Sequence, residues 1–202
     1  MQKTTKEKIL DAALNLFAQK GYKGASVRMI AKEVGIRESA LYNHFKNKED
    51  ILDTIVSTLS SSSLSLISSS NSIEESALKG KKFLREFATS FKLLSYDDKS
   101  EKFFRFMMIE LMQNKKIRDI FLNYFLKEHL KILSKAFFIM MQEGIILSSD
   151  PMLMAREFLS PLFFYRMQAT LLKLDNESSS NTSTLFEKHI DFFWEMISSS
   201  SP

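Results

Sequence analysis

The chain has 202 residues, of which 45% are hydrophobic and 26% charged, with a formal net charge of +4. That is enough to bury the core of one or two domains, but the charge is too small to name nucleic acid as a partner by itself. Five Gly, three Pro and no Cys leave little material for hairpins or glycine loops, and they exclude disulfides, thiolate metal sites and cysteine nucleophiles. No uninterrupted apolar run reaches the roughly 18 residues of a membrane span. The N-terminus carries charge but no apolar signal-peptide region. An all-α, cytoplasmic protein is the expectation.

Charge and aromatic content are unevenly placed. Residues 1–56 hold 10 Lys and Arg against 7 Asp and Glu, net +3, whereas the remainder holds 18 against 17, net +1. Of 18 Phe, only Phe17 and Phe45 fall in that first stretch. In chain order, Ile9, Leu10, Ala13, Leu14, Leu16 and Phe17 predict an amphipathic helix, capped by Thr4 and Glu7 and stopped at Gly21. Ser26 opens a two-turn helix that ends at Gly35. A third helix, Glu38 to about Phe45, turns Ala40, Leu41 and Phe45 inward. Asn47, Glu49 and Asp50 then mark the start of a fourth. Two short helices joined by a Gly-containing turn make a helix-turn-helix.

The fourth helix is expected to continue to about residue 70 through the serine-rich stretch 57–72, on the repeat of Ile51, Leu52, Ile55, Leu59, Leu66 and Ile67; a flexible linker is the alternative. Further helices are expected over about 74–95, 101–113 and 117–143, with Gly144 as a stop. Asp150 and Pro151 open one towards Lys173, bent at Pro161. Thr184 and Glu187 cap the last. The fold expected is all-α with about nine helices: an N-terminal three-helix domain with the helix-turn-helix, residues 1–56, and a C-terminal helical domain, residues 57–202.

The segment from Ser26 to Leu52 resembles the DNA-binding domain of the TetR family of transcriptional regulators. The resemblance rests on Phe17-Ala18-Gln19-Lys20-Gly21-Tyr22, on Ile30-Ala31 ahead of Gly35, on the pairs Leu41-Tyr42 and His44-Phe45, and on Lys48 followed by acids and Leu52. Beyond about fifty residues the likeness is one of length and helical character. It implies a dimeric repressor, with helix-turn-helix heads on a pseudo-palindromic double-stranded DNA operator and a small-molecule effector that releases it.

The residues fit that role on physical grounds. A helix in the major groove needs polar side chains outward and an unobstructed approach, so Arg28, Arg37, Glu38, Ser39 and Asn43 are base-reading candidates and Ala40 gives clearance. Ser26, Tyr42, His44 and Lys48 are phosphate candidates at its edges. Tyr42 and His44 also admit a packing role, and Arg37 that of a solvated arginine. Lys48 opposes the dipole of the helix it begins, which a phosphate would explain. Arg37 stands where the family often has Ser or Thr, so the usual cap is missing.

In the C-terminal part, Phe87, Phe91, Phe104, Arg105, Met108, Phe125, His129, Phe137 and Arg166 are candidates for a pocket suited to a hydrophobic effector, and Glu110 is a further ionisable residue there. The family resemblance implies a dimer surface on the last two long helices, for which Phe158, Leu162, Phe163, Tyr165, Phe186, Ile190, Phe193, Trp194 and Ile197 supply apolar area. His44, His129 and His189 are far apart in sequence, so no metal site is expected, and neither a cofactor nor a catalytic residue is indicated. The expectation is therefore not an enzyme. A rival reading keeps DNA binding but has the body recruit a protein partner, as a structural or nucleoid-associated regulator without a small-molecule ligand.

Overall fold

The computed structural model describes residues 3–67 and 72–199. Among them the chain is all-α: α1 (Thr5–Gly24), α2 (Val27–Val34), α3 (Glu38–Leu41), α4 (Lys48–Ile67), α5 (Ile73–Ala77), α6 (Lys81–Leu93), α7 (Asp98–Glu110), α8 (Lys115–Ile120), a π-helical turn (Phe121–Leu126), α9 (Lys127–Gln142), α10 (Pro151–Leu174) and α11 (Ser180–Ile197). Apart from one isolated bridge between Ile146 and Ser198, no β pairing occurs among the described residues. No described helix is long and apolar enough to cross a membrane.

Local chemistry explains the boundaries. Thr4 and Glu7 form the expected capping box, each side chain accepting from the other's backbone N–H. The α1 segment turns at Gly21, whose φ of 69° interrupts the helix. In α4 the hydroxyls of Thr54, Ser57 and Thr58 donate back to carbonyls three or four residues earlier, which lets a polar stretch stay helical. The expected end of this helix near residue 70 lies outside the described residues.

Three expectations for the later helices are corrected. The helix expected over 74–95 is two, because Gly80 adopts φ 56°, and a Cβ there would stand 3.0 Å from the Trp194 ring. The helix expected over 117–143 begins at Lys115 and contains the π turn. The last helix starts at Ser180, so Thr184 lies inside it, where its hydroxyl donates to Asn181 O at 2.9 Å. Asp150 does cap α10 as expected, accepting from Met152 and Leu153, with Pro151 in the first turn. The α10 segment remains helical through Pro161.

The chain divides into two compact units, Met1–Ser62 with Asp97–Phe121, and Ser63–Tyr96 with Leu122–Pro202. In the first, α1 packs on α2 and α7 around Ile9, Phe17, Ile30, Leu41, Ile51, Leu52 and Phe106, with the Phe17 and Phe106 rings 5.4 Å apart. In the second, α6, α9, α10 and α11 enclose a phenylalanine core in which Phe137 touches Phe158 and Phe193, at 6.2 and 5.8 Å between ring centroids.

Candidate nucleic-acid interface and effector body

Two helices and a turn set the geometry of the head. Ser26 Oγ accepts from Met29 N–H at 3.2 Å and so caps α2. Ile30 and Ala31 fasten that helix to the core. Gly35 closes it at φ 77°, donating to Lys32 O, while Ile36 N–H donates to Ala31 O. Nothing lies within 4 Å of where a Gly35 Cβ would stand, so the glycine is required by the dihedral and not by space. Gly35→Ala is therefore expected to lower stability by about 1 kcal/mol, and Gly35→Asn by less, as read from urea unfolding midpoints.

The α3 helix is a single turn, shorter than the expected span to Phe45: residues 42–44 form a turn closed by His44 N–H and Phe45 N–H to Leu41 O. Leu41 and Phe45, both fully buried, hold it from beneath. Arg37 occupies the N-cap without a side-chain hydrogen bond. Arg28, Arg37, Glu38, Ser39, Tyr42, Asn43 and His44 are all exposed, and Ala40 is half-buried among them. None of Arg28, Arg37 and Glu38 forms an ion pair among the described residues. The result is an exposed polar surface over a buried apolar anchor, which is what groove docking needs.

Lys48 sits differently. At the start of α4, Asn47 Oδ1 accepts from Asp50 N–H and Asp50 Oδ2 from Lys46 N–H, both at 2.9 Å. Lys48 Nζ turns back to donate to Tyr22 O and Ala25 O, each at 2.8 Å, and lies 4.2 Å from the Tyr22 ring centre. Its pKa is pulled below the ordinary lysine value by burial, with the Glu110 carboxylate opposing. Two of its three ammonium protons thus hold the α1–α2 turn.

Glu110, which the sequence reading grouped with effector contacts, belongs to this turn instead. It is buried, its Oε1 accepts from Tyr22 N–H at 2.8 Å, and its Oε2 from Asn114 Nδ2 at 3.1 Å. A Cβ on Gly21 would stand 2.9 Å from that Oε1, so this glycine answers both to its dihedral and to the close carboxylate. No local signal in the sequence pairs residue 22 with residue 110. Glu110→Ala is expected to cost about 2 kcal/mol by orphaning the Tyr22 N–H, and Glu110→Gln, which keeps an acceptor, clearly less, measured by chemical denaturation.

In the second unit, α6, the π turn and α9 bring Phe87, Phe91, Phe125 and His129 together, with His129 at 6.0, 5.9 and 4.7 Å from the three rings. Arg166 of α10 is 3% exposed, its guanidinium carbon 5.7 Å from the Phe91 ring centre. Phe137 is packed into the core behind them. His129 is fully buried, with Nδ1 hydrogen-bonded to Phe125 O. Burial, aided by the positive charge of Arg166, pushes its pKa down to about 4. Phe104, Arg105 and Met108 fall in the other compact unit: Phe104 is fully buried and the other two half-buried.

Residues 9–55 match the profile of bacterial regulatory proteins of the tetR family. Over this segment the chain is similar to the tetR family. It is 48% identical over 46 residues to IcaR, the biofilm operon icaADBC HTH-type negative transcriptional regulator of Staphylococcus epidermidis, covering 23% of this chain and 25% of that protein. It is 31% identical over 137 residues to the Bacillus subtilis protein named "Probable HTH-type transcriptional regulator YttP", covering 63% and 61%. The matches thus span a quarter to about three fifths of these relatives. Across nearly the whole chain the fold is that of SmeT in its triclosan complex, with TM-score 0.72, 20% identity and coverage of 99% and 96%. It is also that of FadR from Bacillus subtilis in complex with stearoyl-CoA, at TM-score 0.64, 23% identity and coverage of 93% and 96%.

In the C-terminal body, the residues expected on the dimer surface lie largely within or against the core of their own chain. Phe158, Leu162, Phe186, Ile190, Phe193 and Ile197 are buried in the core of their own chain. Phe163, Tyr165 and Trp194 are half-buried against that core, Trp194 over Gly80. The inner side of this helical stripe is spent on the fold. The outer side is offset by about one position: Phe164 and Leu171 on α10, with Phe192 and Met196 on α11, are 54–66% exposed. Between these helices Glu157, Pro161, Tyr165, Leu185, Lys188, His189, Phe192 and Phe193 line an open groove of about 450 Å³. Pro161 has no N–H to give Glu157 O, so the rim of the groove keeps a carbonyl without its helical donor.

Proposed function

We propose that the protein is a dimeric transcriptional repressor that binds a pseudo-palindromic operator and is released by a hydrophobic small-molecule effector. Residues 1–56 are its DNA-binding domain and residues 57–202 its sensing and dimerising body. The observation that carries this reading is the exposed polar face of Arg28, Arg37, Glu38, Ser39, Tyr42, Asn43 and His44 over a core-anchored helix-turn-helix. On this reading Arg28, Arg37, Glu38, Ser39 and Asn43 meet base edges, and Ser26, Tyr42, His44 and Lys48 meet phosphates. A one-turn reading helix contacts few bases, so two heads on two half-sites are needed for operator affinity.

The similarity of the head to a negative regulator supports repression. Fold neighbours with acyl-CoA or triclosan bound support effector sensing, and AibR, of the same fold at TM-score 0.66, is known with both isovaleryl coenzyme A and operator DNA. Such a regulator works beside the chromosome, in the cytoplasm, and is not an enzyme. Fluorescence anisotropy with DNA from upstream of its own gene tests the proposal. Nanomolar to low-micromolar, sequence-selective affinity that falls steeply with salt is expected, and equal affinity for scrambled DNA at every salt concentration overturns it. Arg37→Ala is expected to cost about 1–3 kcal/mol on the preferred sequence and to relax specificity at one position of each half-site.

A further inference from the structure

We infer that His129 is the polar anchor of the effector site, and that it accepts a hydrogen bond from the hydroxyl of an aromatic effector, a phenol, in preference to holding a carboxylate. This deepens the effector-sensing reading and rests on it. His129 is fully buried on α9, with Phe87 and Phe91 of α6 edge-on to its ring and Phe125 tilted against it. Its Nδ1 faces the Phe125 carbonyl oxygen, which can only accept, so Nδ1 carries the ring proton. In the neutral imidazole, Nε2 is then a bare lone pair. It is buried and has no hydrogen-bond partner among the described residues.

A buried acceptor without a donor is rare in a folded protein and marks a place where a donor belongs. The ring does not supply one by taking up a second proton, because burial and the nearby Arg166 cation both oppose it. The charged groups acting on it are Arg166 from α10, which disfavours protonation, and Glu128 on its own helix, which favours it more weakly. A carboxylate would present only lone pairs to Nε2. An ammonium would bring a second cation beside Arg166. A neutral O–H satisfies both constraints, since it donates to Nε2 while the positive field of Arg166 stabilises the electron-rich oxygen. The rings of Phe87, Phe91 and Phe125 around His129 favour an aromatic carrier for that hydroxyl, because rings pack well edge-to-face.

Calorimetric titration of the full-length chain near neutral pH with para-butylphenol, para-butylanisole and para-butylbenzoate tests this. These probes share their apolar part and differ in the polar group. The phenol is expected to bind at least about tenfold more tightly than the other two, and the His129 Nε2 resonance in histidine-ring nitrogen NMR is expected to move on its addition. His129→Phe is expected to equalise phenol and anisole, and His129→Gln, whose amide oxygen accepts, to restore the difference. Equal binding of phenol and anisole by the unmodified chain, tighter binding of the benzoate, or a preference that survives His129→Phe overturns the inference and leaves effector sensing standing. Binding of none of the three overturns both. If His129→Phe fails to fold, the probe ranking and the nitrogen shift of the unmodified chain still decide.

Discussion

Joint replacement of Phe164 and Phe192 by aspartate is expected to give a folded monomer whose operator affinity is lower by about a hundredfold or more. Both side chains project from their own chain, so neither supports its core. In a two-fold interface each substitution counts twice, and burying an unpaired carboxylate where a phenyl ring of roughly 2 kcal/mol transfer energy had been reverses the sign of the contact. Sedimentation velocity reads the monomer, anisotropy reads the DNA affinity, and a urea midpoint within about 0.5 kcal/mol of the unmodified chain shows that the fold is intact. A persistent dimer with unchanged affinity would place the interface elsewhere. The contrast is Phe158→Asp, at a position central to the core, which is expected to unfold the body altogether.

The second large effect is one of pH. Burial holds the His129 pKa at about 4, well below the ordinary value of 6.5 that the unfolded chain recovers. The folded state therefore binds fewer protons than the unfolded state between those values. Stability from this group is fully present above pH 6.5 and is lost as pH falls towards about 4, by roughly 3 kcal/mol in all. His189, buried against Phe158 and bonded through Nε2 to Phe158 O at 3.0 Å, is shifted the same way by desolvation and adds to the loss. Urea unfolding at a series of pH values should show this slope, and His129→Leu should flatten most of it. An unchanged slope in His129→Leu would assign the acid sensitivity to the carboxylates.

The N-terminal head was legible because its signals are local. Thr4 with Glu7, Ser26 before a two-turn helix, Gly35 after it and Leu41 with Phe45 each act within a few residues, and the structure uses all of them. The exposed polar face followed from the same periodicity, since whatever does not point inward with Leu41 and Phe45 points out. What failed was of another kind. Phe163 and Phe164 are adjacent and chemically equal, and only the packing of α10 against α9 and α11 decides that one lies against the core and the other meets solvent. Gly80 gave no warning of a break until Trp194 was seen above it. The bonds of Lys48 to the carbonyls of Tyr22 and Ala25 had no local signal either, because those carbonyls are more than twenty residues away.

The reach of Glu110 back to Tyr22, together with Lys99 paired to Asp11 at 2.7 Å and Phe106 against Phe17, makes the first compact unit discontinuous in sequence. That has a consequence for anyone recombining such regulators. A chimera cut once, after residue 56, would carry α1 away from the α7 of its own chain and set it against a foreign one. The graft that preserves the unit transfers residues 97–121 along with the head, so that the exchangeable part is two pieces of chain inherited together.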